Sequence, residues 1–364
     1  MSASPSRDGA VAIDALDDIL RAIFAGNGVA AEAATITSES LLAAEVEGVS
    51  SHGVMLVPLY VERLRAGGVS ASAVPRIVED FGGLVTMSAE HALGQVSSKL
   101  AVELVAARAK LHGVALVAVR HGFHFGTAAF WAKRLAAQGM VGLAFSNTRP
   151  LMPAPGGAER VVGNNPLAIA FPSASGEPLV VDMAMSATAM GKIRLAAGKG
   201  EPIPTGWATD AAGQATTSAA EAIKGMLLPA AGPKGFGLAV AIDLLCGALS
   251  GGAIGAAVRP LYGDAAGRYD CSHAFIAIDA QRLGEGVGIG GVVASFATQI
   301  RDSTPASGTS RIFAPGDLER ARRAERTPAC PLPLSLVEQL NQLSQQAGRV
   351  ERLAVIDPLN GMPS

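Results

Sequence analysis

The 364 residues are 49% hydrophobic and 16% charged, with 29 Lys and Arg against 31 Asp and Glu, for a formal charge of −2. A nucleic-acid binder would show a basic face or tail, and none is present; the chain is also too apolar and too evenly charged to be disordered. Its length suits one large or two ordinary domains of roughly 100 to 200 residues each.

Apolar residues at helical spacing predict helices over 14–25 and 30–47, the second stopped by Gly48. The chain turns at Ser50-Ser51-His52-Gly53, and a third helix spans 56–65 before Gly67-Gly68, with Pro58 in its first turn, where a missing N–H does little harm. A long helix follows over 92–111, ended by Gly113. VALVAV at 114–119, FGTAAFWAKRLAAQ at 125–138 and MVGLAFS at 140–146 read as strand, helix, strand. Further strands are expected at 166–172, 178–184 and 274–279, with a strong helix over 235–251 between the last two. From about 314 the chain turns charged and helical, and Pro328, Pro331 and Pro333 read as a linker between two last helices. A membrane span needs ~20 consecutive apolar residues, and neither that nor an apolar run of signal-peptide length occurs. Cys246, Cys271 and Cys330 are odd in number and lack CxxC spacing, so neither a disulfide framework nor a metal site is expected, and a reducing cytoplasm is the simplest compartment.

Four clusters could carry chemistry. His52, in SSHG, projects from a loop between two helices, although a loop histidine is more often a surface or capping group. His121-Gly-Phe-His124-Phe-Gly126 lies where a strand meets a helix, the place where α/β proteins set ligands near helix N-terminal amides. Asn147-Thr148-Arg149 and Gly163-Asn164-Asn165 surround glycines that let backbone approach a ligand or simply turn. Asp182 is a polar residue inside an apolar strand and needs a partner if buried; Gly191-Lys192 follow it, and Lys234-Gly235 open the strong helix, where a lysine can help hold an anion or simply be solvated. GVGIGG, with Gly286, Gly288 and Gly291, matches GxGxxG, but the polar AQRLGE before it is no strand, so a plain glycine-rich turn is the better reading.

Together and in order, the segments at 50–69, 124–157, 163–172, 180–193, 204–216 and 227–252 resemble the malate/L-lactate dehydrogenase family, which includes ureidoglycolate and sulfolactate dehydrogenases and Δ1-piperideine-2-carboxylate reductases. The resemblance implies an α/β, non-Rossmann, sulfolactate-dehydrogenase-like fold, a central mixed sheet with flanking helices plus a helical part from both termini. It divides the chain into a helical substrate and dimerisation part, 1–75 with 310–364, and an α/β cofactor-binding part, 76–309. It implies a cytoplasmic homodimer that uses NAD or NADP on a small-molecule substrate, apart from nucleic acid and membrane. Ser51, His52 and His124 become the catalytic candidates. His124, Phe125, Gly126, Asn147, Thr148, Asp182, Met183, Ala184, Gly191, Lys192, Lys234 and Gly235 become candidates for the cofactor. A histidine that titrates near ~6.5 suits the proton exchange that accompanies hydride transfer. The expected reaction interconverts a 2-hydroxy and a 2-oxo acid; the alternatives are reduction of a cyclic imine carboxylate and a relative that binds without chemistry. Many relatives place an arginine four residues after the SHG histidine to hold the substrate carboxylate. Here that residue is Leu56, so Arg149, Arg160 and Asn165 are the substrate-binding candidates.

Overall fold

A computed structural model describes residues 8–282 and 288–356. In chain order it begins with strand β1 (Asp8–Ala12), helices α1 (Ile13–Gly26), α2 (Ala31–Val46) and α3 (Val57–Ala66), and strands β2 (Arg76–Asp80) and β3 (Leu84–Ser88). The centre holds α4 (Gly94–His112), β4 (Val114–Gly122), α5 (Ala128–Ala136), β5 (Val141–Ser146), the short β6 (Met152–Pro153) and β7 (Arg160–Val162), then β8 (Leu167–Phe171) and β9 (Leu179–Met183). Next come α6 (Met190–Lys199), β10 (Ala208–Thr209), α7 (Ala219–Lys224), β11 (Met226–Leu227), α8 (Pro233–Asp243) and β12 (Cys271–Ile278). Helices α9 (Gly288–Arg301) and α10 (Asp317–Glu325), strand β13 (Ala329–Pro333) and helix α11 (Leu334–Gln346) complete the described chain.

A seven-stranded sheet in the order β2-β3-β4-β12-β5-β8-β9 forms the centre. Only β3 and β4 run parallel among its neighbouring pairs; β12 is antiparallel to both β4 and β5 and lies between them. The strand–helix–strand reading of 114–146 therefore finds its elements but not a neighbouring strand pair, because the apolar run at 271–278 buries both its faces by entering the gap. Phe275 and Ala277 join the layer of α4 and α5, with Trp131, Leu135 and Val105, while Ala274 and Ile276 face the layer of α6, α7 and α8, with Ile193, Ala222 and Ile242. That two-residue alternation is what a strand between two helical layers requires. A mixed sheet of this kind is the expected non-Rossmann architecture.

A third core gathers the two chain ends. The buried stripe of α1, Leu16, Ile19, Leu20, Ile23 and Phe24, packs with Tyr60 of α3, Leu332 of β13 and Leu340 of α11. The proline-containing segment is not a bare linker: β13 pairs antiparallel with β1, Pro331 opposite Ala10 and Pro333 opposite Asp8. A two-stranded ribbon has free edges, so prolines whose missing N–H faces outward are tolerated.

Three smaller differences bear on the site. The helix expected from 125 begins at Ala128, which leaves His124 in a connecting loop. The helix expected from 235 begins at Pro233 and passes into a π-turn at Leu244–Ala248. Of the GxGxxG match, Gly286 lies outside the described residues, while Gly288 and Gly291 fall in the first turn of α9.

Candidate active site

A buried carboxylate builds the SSHG loop. Glu45, in the last turn of α2, is 2% exposed; its Oε1 accepts from Ser50 Oγ and its Oε2 from the Val54 N–H at 3.0 Å. Arg326 donates to the Glu45 carbonyl at 2.8 Å. The loop is thereby held as a tight 3-10 turn over Ser50–His52, with His52 half-buried and its Nδ1 3.0 Å from Ser51 Oγ. Burial pushes the His52 imidazole down to about 4, so it is neutral at neutral pH.

The second histidine comes from the loop between β4 and α5. His124 Nδ1 lies 2.7 Å from the hydroxyl of Tyr60, a fully buried α3 residue that accepts from Gln95 Nε2 at 3.2 Å. Neighbouring residues fix this loop too: Phe125 stacks on His273 with ring centroids 4.3 Å apart, and Trp131 Nε1 donates to the Phe125 carbonyl at 2.9 Å. Gly126 has φ +83, and a side chain there would collide with Ser40. Burial, then the proximity of His52 and His273, holds His124 well below the usual imidazole range. The rings of His52 and His124 face each other with centroids 5.3 Å apart.

Both rings line a cleft of about 490 Å³. It continues past Thr148 and Tyr269, the first turn of α5 (Thr127, Ala128, Ala129), and the end of β9 with Asp182, Met183 and Ala184. Solvent reaches Asp182 through the cleft, yet protein walls it on its other sides. That desolvation raises its carboxyl to about 6, against the pull of Lys133 and of the Ala129 N–H. Lys133 also pairs with Glu47 at 2.6 Å, both on the cleft wall.

The cleft thus gathers His52, His124, Phe125, Gly126, Thr148, Asp182, Met183 and Ala184. Ser51 touches His52 from the exposed side. Other candidates lie elsewhere. Asn147 is buried with its amide fully used, donating to Asp243 and to the Ala253 carbonyl and accepting from the Ser272 N–H. Asn165, equally buried, accepts from the Thr148 N–H and donates to the Ala239 carbonyl, so it shapes the wall from behind. Arg160 donates to the Lys224 and Gly225 carbonyls, away from the cleft. Gly191 and Lys192 open α6, and Lys234 and Gly235 open α8; none of the four is on the cleft wall. Arg149 is half-buried, near Tyr269 of the cleft, and no carboxylate among the described residues pairs with it. Its pKa is lowered by burial and by Arg160. Sequence reasoning missed Glu45, Tyr60, Gln95 and Tyr269; an acidic residue within an apolar run just ahead of the SSHG turn was the available signal for the first.

The central mixed sheet and its flanking helices are shared with solved dehydrogenases, and the chain is an enzyme of the oxidoreductase class. The sequence profile described as malate/L-lactate dehydrogenase matches residues 11–341, and the chain belongs to that family. It is 34% identical over 313 residues to the (2R)-3-sulfolactate dehydrogenase (NADP(+)) of Chromohalobacter salexigens, covering 86% of this chain and 91% of that one. It is 35% identical over 240 residues to the Δ1-pyrroline-2-carboxylate/Δ1-piperideine-2-carboxylate reductase of Pseudomonas putida, covering 65% and 70%. The solved structure of sulfolactate dehydrogenase from Methanocaldococcus jannaschii superposes with a TM-score of 0.87 at 32% identity, covering 93% of this chain and 97% of that one. Among the described residues no helix is long and apolar enough to cross a membrane.

Proposed function

We propose that the chain interconverts a 2-hydroxy acid and its 2-oxo acid with a nicotinamide cofactor, NAD or NADP, and that His52 exchanges the proton. The observation that carries this reading is the 5.3 Å separation of the His52 and His124 rings on one cleft. Both rings open onto that one cleft, so a small carboxylic acid lying beside them can meet both, with the remaining volume free for a larger ligand.

The residues present suit the cofactor. The start of α5 brings the positive end of its dipole to the cleft beside Lys133, which Glu47 already pairs, and a diphosphate there would draw on the N–H groups that Asp182 leaves free. Small side chains at Gly126, Ala128 and Ala129 allow close approach, and Asp182 can accept from a ribose hydroxyl. When bound there, the nicotinamide supplies the hydride acceptor or donor.

His52 does the proton work. Its Nδ1 is engaged with Ser51, which leaves Nε2 for the substrate oxygen. In oxidation the neutral ring accepts the hydroxyl proton; in reduction the same atom returns one, once an anionic substrate has raised the ring's basicity. His124 offers a second polar contact to the same oxygen or to the carboxylate. Arg149 is the anchor for an anionic substrate group, a reading supported by a guanidinium near Tyr269 that pairs with no carboxylate among the described residues, whereas Arg160 is committed to backbone carbonyls.

The proposed division assigns the helical part, 1–75 with 310–364, to substrate and dimer contacts and 76–309 to the cofactor. A homodimer is supported by apolar residues left exposed in that helical part, Met55, Phe313, Leu318 and Leu334. Three free, buried cysteines suit a reducing cytoplasm. The test is oxidation of NADH and NADPH with pyruvate, oxaloacetate, 3-sulfopyruvate and Δ1-piperideine-2-carboxylate in parallel. Turnover of an oxo acid is expected, and turnover of the imine alone would replace this reading with the imine reductase.

A further inference from the structure

We infer that Tyr60 is a positioning residue that holds His124 as a neutral imidazole with its proton on Nε2, so that His124 serves as a fixed hydrogen-bond donor and does not share the titration of His52. The inference rests on the oxidoreductase reading only for its catalytic consequence; its structural core stands apart.

Two donors converge on one atom. Tyr60 OH lies 2.7 Å from His124 Nδ1, and the Gly126 backbone N–H points at the same nitrogen at 3.4 Å. A peptide N–H can only donate, so the nitrogen it faces carries a lone pair. The Tyr60 oxygen already accepts from Gln95 Nε2 at 3.2 Å, so its one hydrogen is free to be given away. It has two acceptors to choose from, Nδ1 at 2.7 Å and the His124 carbonyl at 3.1 Å. Choosing the carbonyl would require a proton on Nδ1 and set two N–H groups against each other, so the shorter bond is the one made. With Nδ1 accepting, a neutral ring must protonate Nε2. That atom has no partner among the described residues, and the ring lines the cleft.

The surroundings keep both groups in these states. Tyr60 is fully buried, and burial raises its phenol far above the usual range, so it remains a donor. His124 is surrounded by His52, His273 and Tyr60, which supply no negative charge to stabilise an imidazolium. An Nε2–H fixed in this way pays no reorganisation cost when an oxygen becomes more negative during the reaction.

The test is the long-range 1H–15N spectrum of the ligand-free protein labelled at histidine, from pH 5.5 to 9, with the His124 signals assigned by their loss in His124→Asn. The expected result is a lone-pair shift at Nδ1 and a protonated shift at Nε2 across the range. A proton on Nδ1, or an imidazolium at pH 7, overturns the inference with no variant needed. In Tyr60→Phe the two shifts should move toward their average; an unchanged spectrum also overturns it. In turnover, Tyr60→Phe should lose about 10-fold or more in kcat while cofactor affinity stays within about 3-fold. Absence of turnover with every substrate would defeat the oxidoreductase reading while leaving the tautomer result standing.

Discussion

The carboxylate of Glu45 occupies the space that a side chain on Gly53 would need: a Cβ built there meets Glu45 Oε2 inside van der Waals contact. Helix α2 and the loop that carries His52 are locked together at this point, because the same oxygen accepts from the Val54 N–H. The glycine of the SHG segment is therefore required by a buried acid upstream and not by a left-handed backbone, its φ being −96°.

Glu45→Gln should lower the melting temperature and turnover together. The amide can keep its oxygen on the Val54 N–H and turn its NH2 to the Ser50 hydroxyl, which then accepts, so the loss is that of exchanging two bonds to a carboxylate for neutral ones, about 1 kcal/mol. Gly53→Ala should cost ~1–3 kcal/mol by overpacking. Calorimetry and turnover of each variant check this; wild-type melting in both would show that the loop does not depend on the contact.

His52→Ala should cut kcat by about 10²- to 10⁴-fold, the usual loss when a general acid–base is removed. Cofactor affinity, read by quenching of intrinsic fluorescence, should stay within about 3-fold. Retained turnover would transfer the proton role to another group.

Stability should fall as pH drops from about 7 to 5. His273 is fully buried, with Nε2 donating to the Phe123 carbonyl at 3.0 Å, and burial holds it down to about 4; His52 sits at the same level. In the unfolded chain both titrate near ~6.5, so between that pH and about 4 the unfolded state binds more protons and is favoured. Melting temperatures measured from pH 8 to 5 should decline below 7, and His273→Gln should flatten the slope while lowering the plateau. Equal slopes in the two proteins would assign the decline to other groups.

Asp182 gives a pH dependence of a different kind. With its carboxyl raised to about 6 by desolvation, it is protonated at pH 5 and ionised at pH 8. If its oxygen accepts from a ribose hydroxyl, cofactor binding should tighten as pH rises through about 6, and Asp182→Asn should remove that dependence. Fluorescence titrations at pH 5, 6, 7 and 8 decide it.

Much of this architecture was legible because it is periodic or punctuated by glycine. The stripe of α1, the glycine stops after α2 and α3, and the apolar runs of β4, β5 and β12 each declare their type locally. What was not legible is non-local. Nothing in the run at 271–278 says that it will separate β4 from β5, and nothing near Pro331 says that it will pair with residues 8–12. The same holds for the site: His52 and His124 stood out by their glycine neighbours, but Tyr60, Gln95 and Glu45 act through side chains that only the packing of α2, α3 and α4 brings into register. Asn147 and Asn165 looked like ligand groups because they flank glycines, yet their amides are consumed in joining β5 to α8 and β12.

Arg149 and Arg160 separate by what already satisfies them. The Arg160 guanidinium donates to two backbone carbonyls, so Arg160→Leu should lower stability and leave the substrate KM unchanged. Arg149 has no carboxylate partner among the described residues, and a half-buried unpaired cation gains little by staying. Arg149→Leu should therefore leave the melting temperature unchanged or raise it. Its cost should fall on the substrate instead: losing a bidentate pair to a carboxylate or sulfonate is worth about 1.4–3 kcal/mol, or ~10- to 150-fold in kcat/KM, expressed mainly in KM. Arg149→Lys should recover only part of this, since an ammonium offers a point charge in place of a planar fork. Steady-state kinetics with oxaloacetate and pyruvate sharpen the test. A guanidinium that binds the second anionic group penalises oxaloacetate alone, whereas one that binds the carboxylate beside the reacting carbon penalises both.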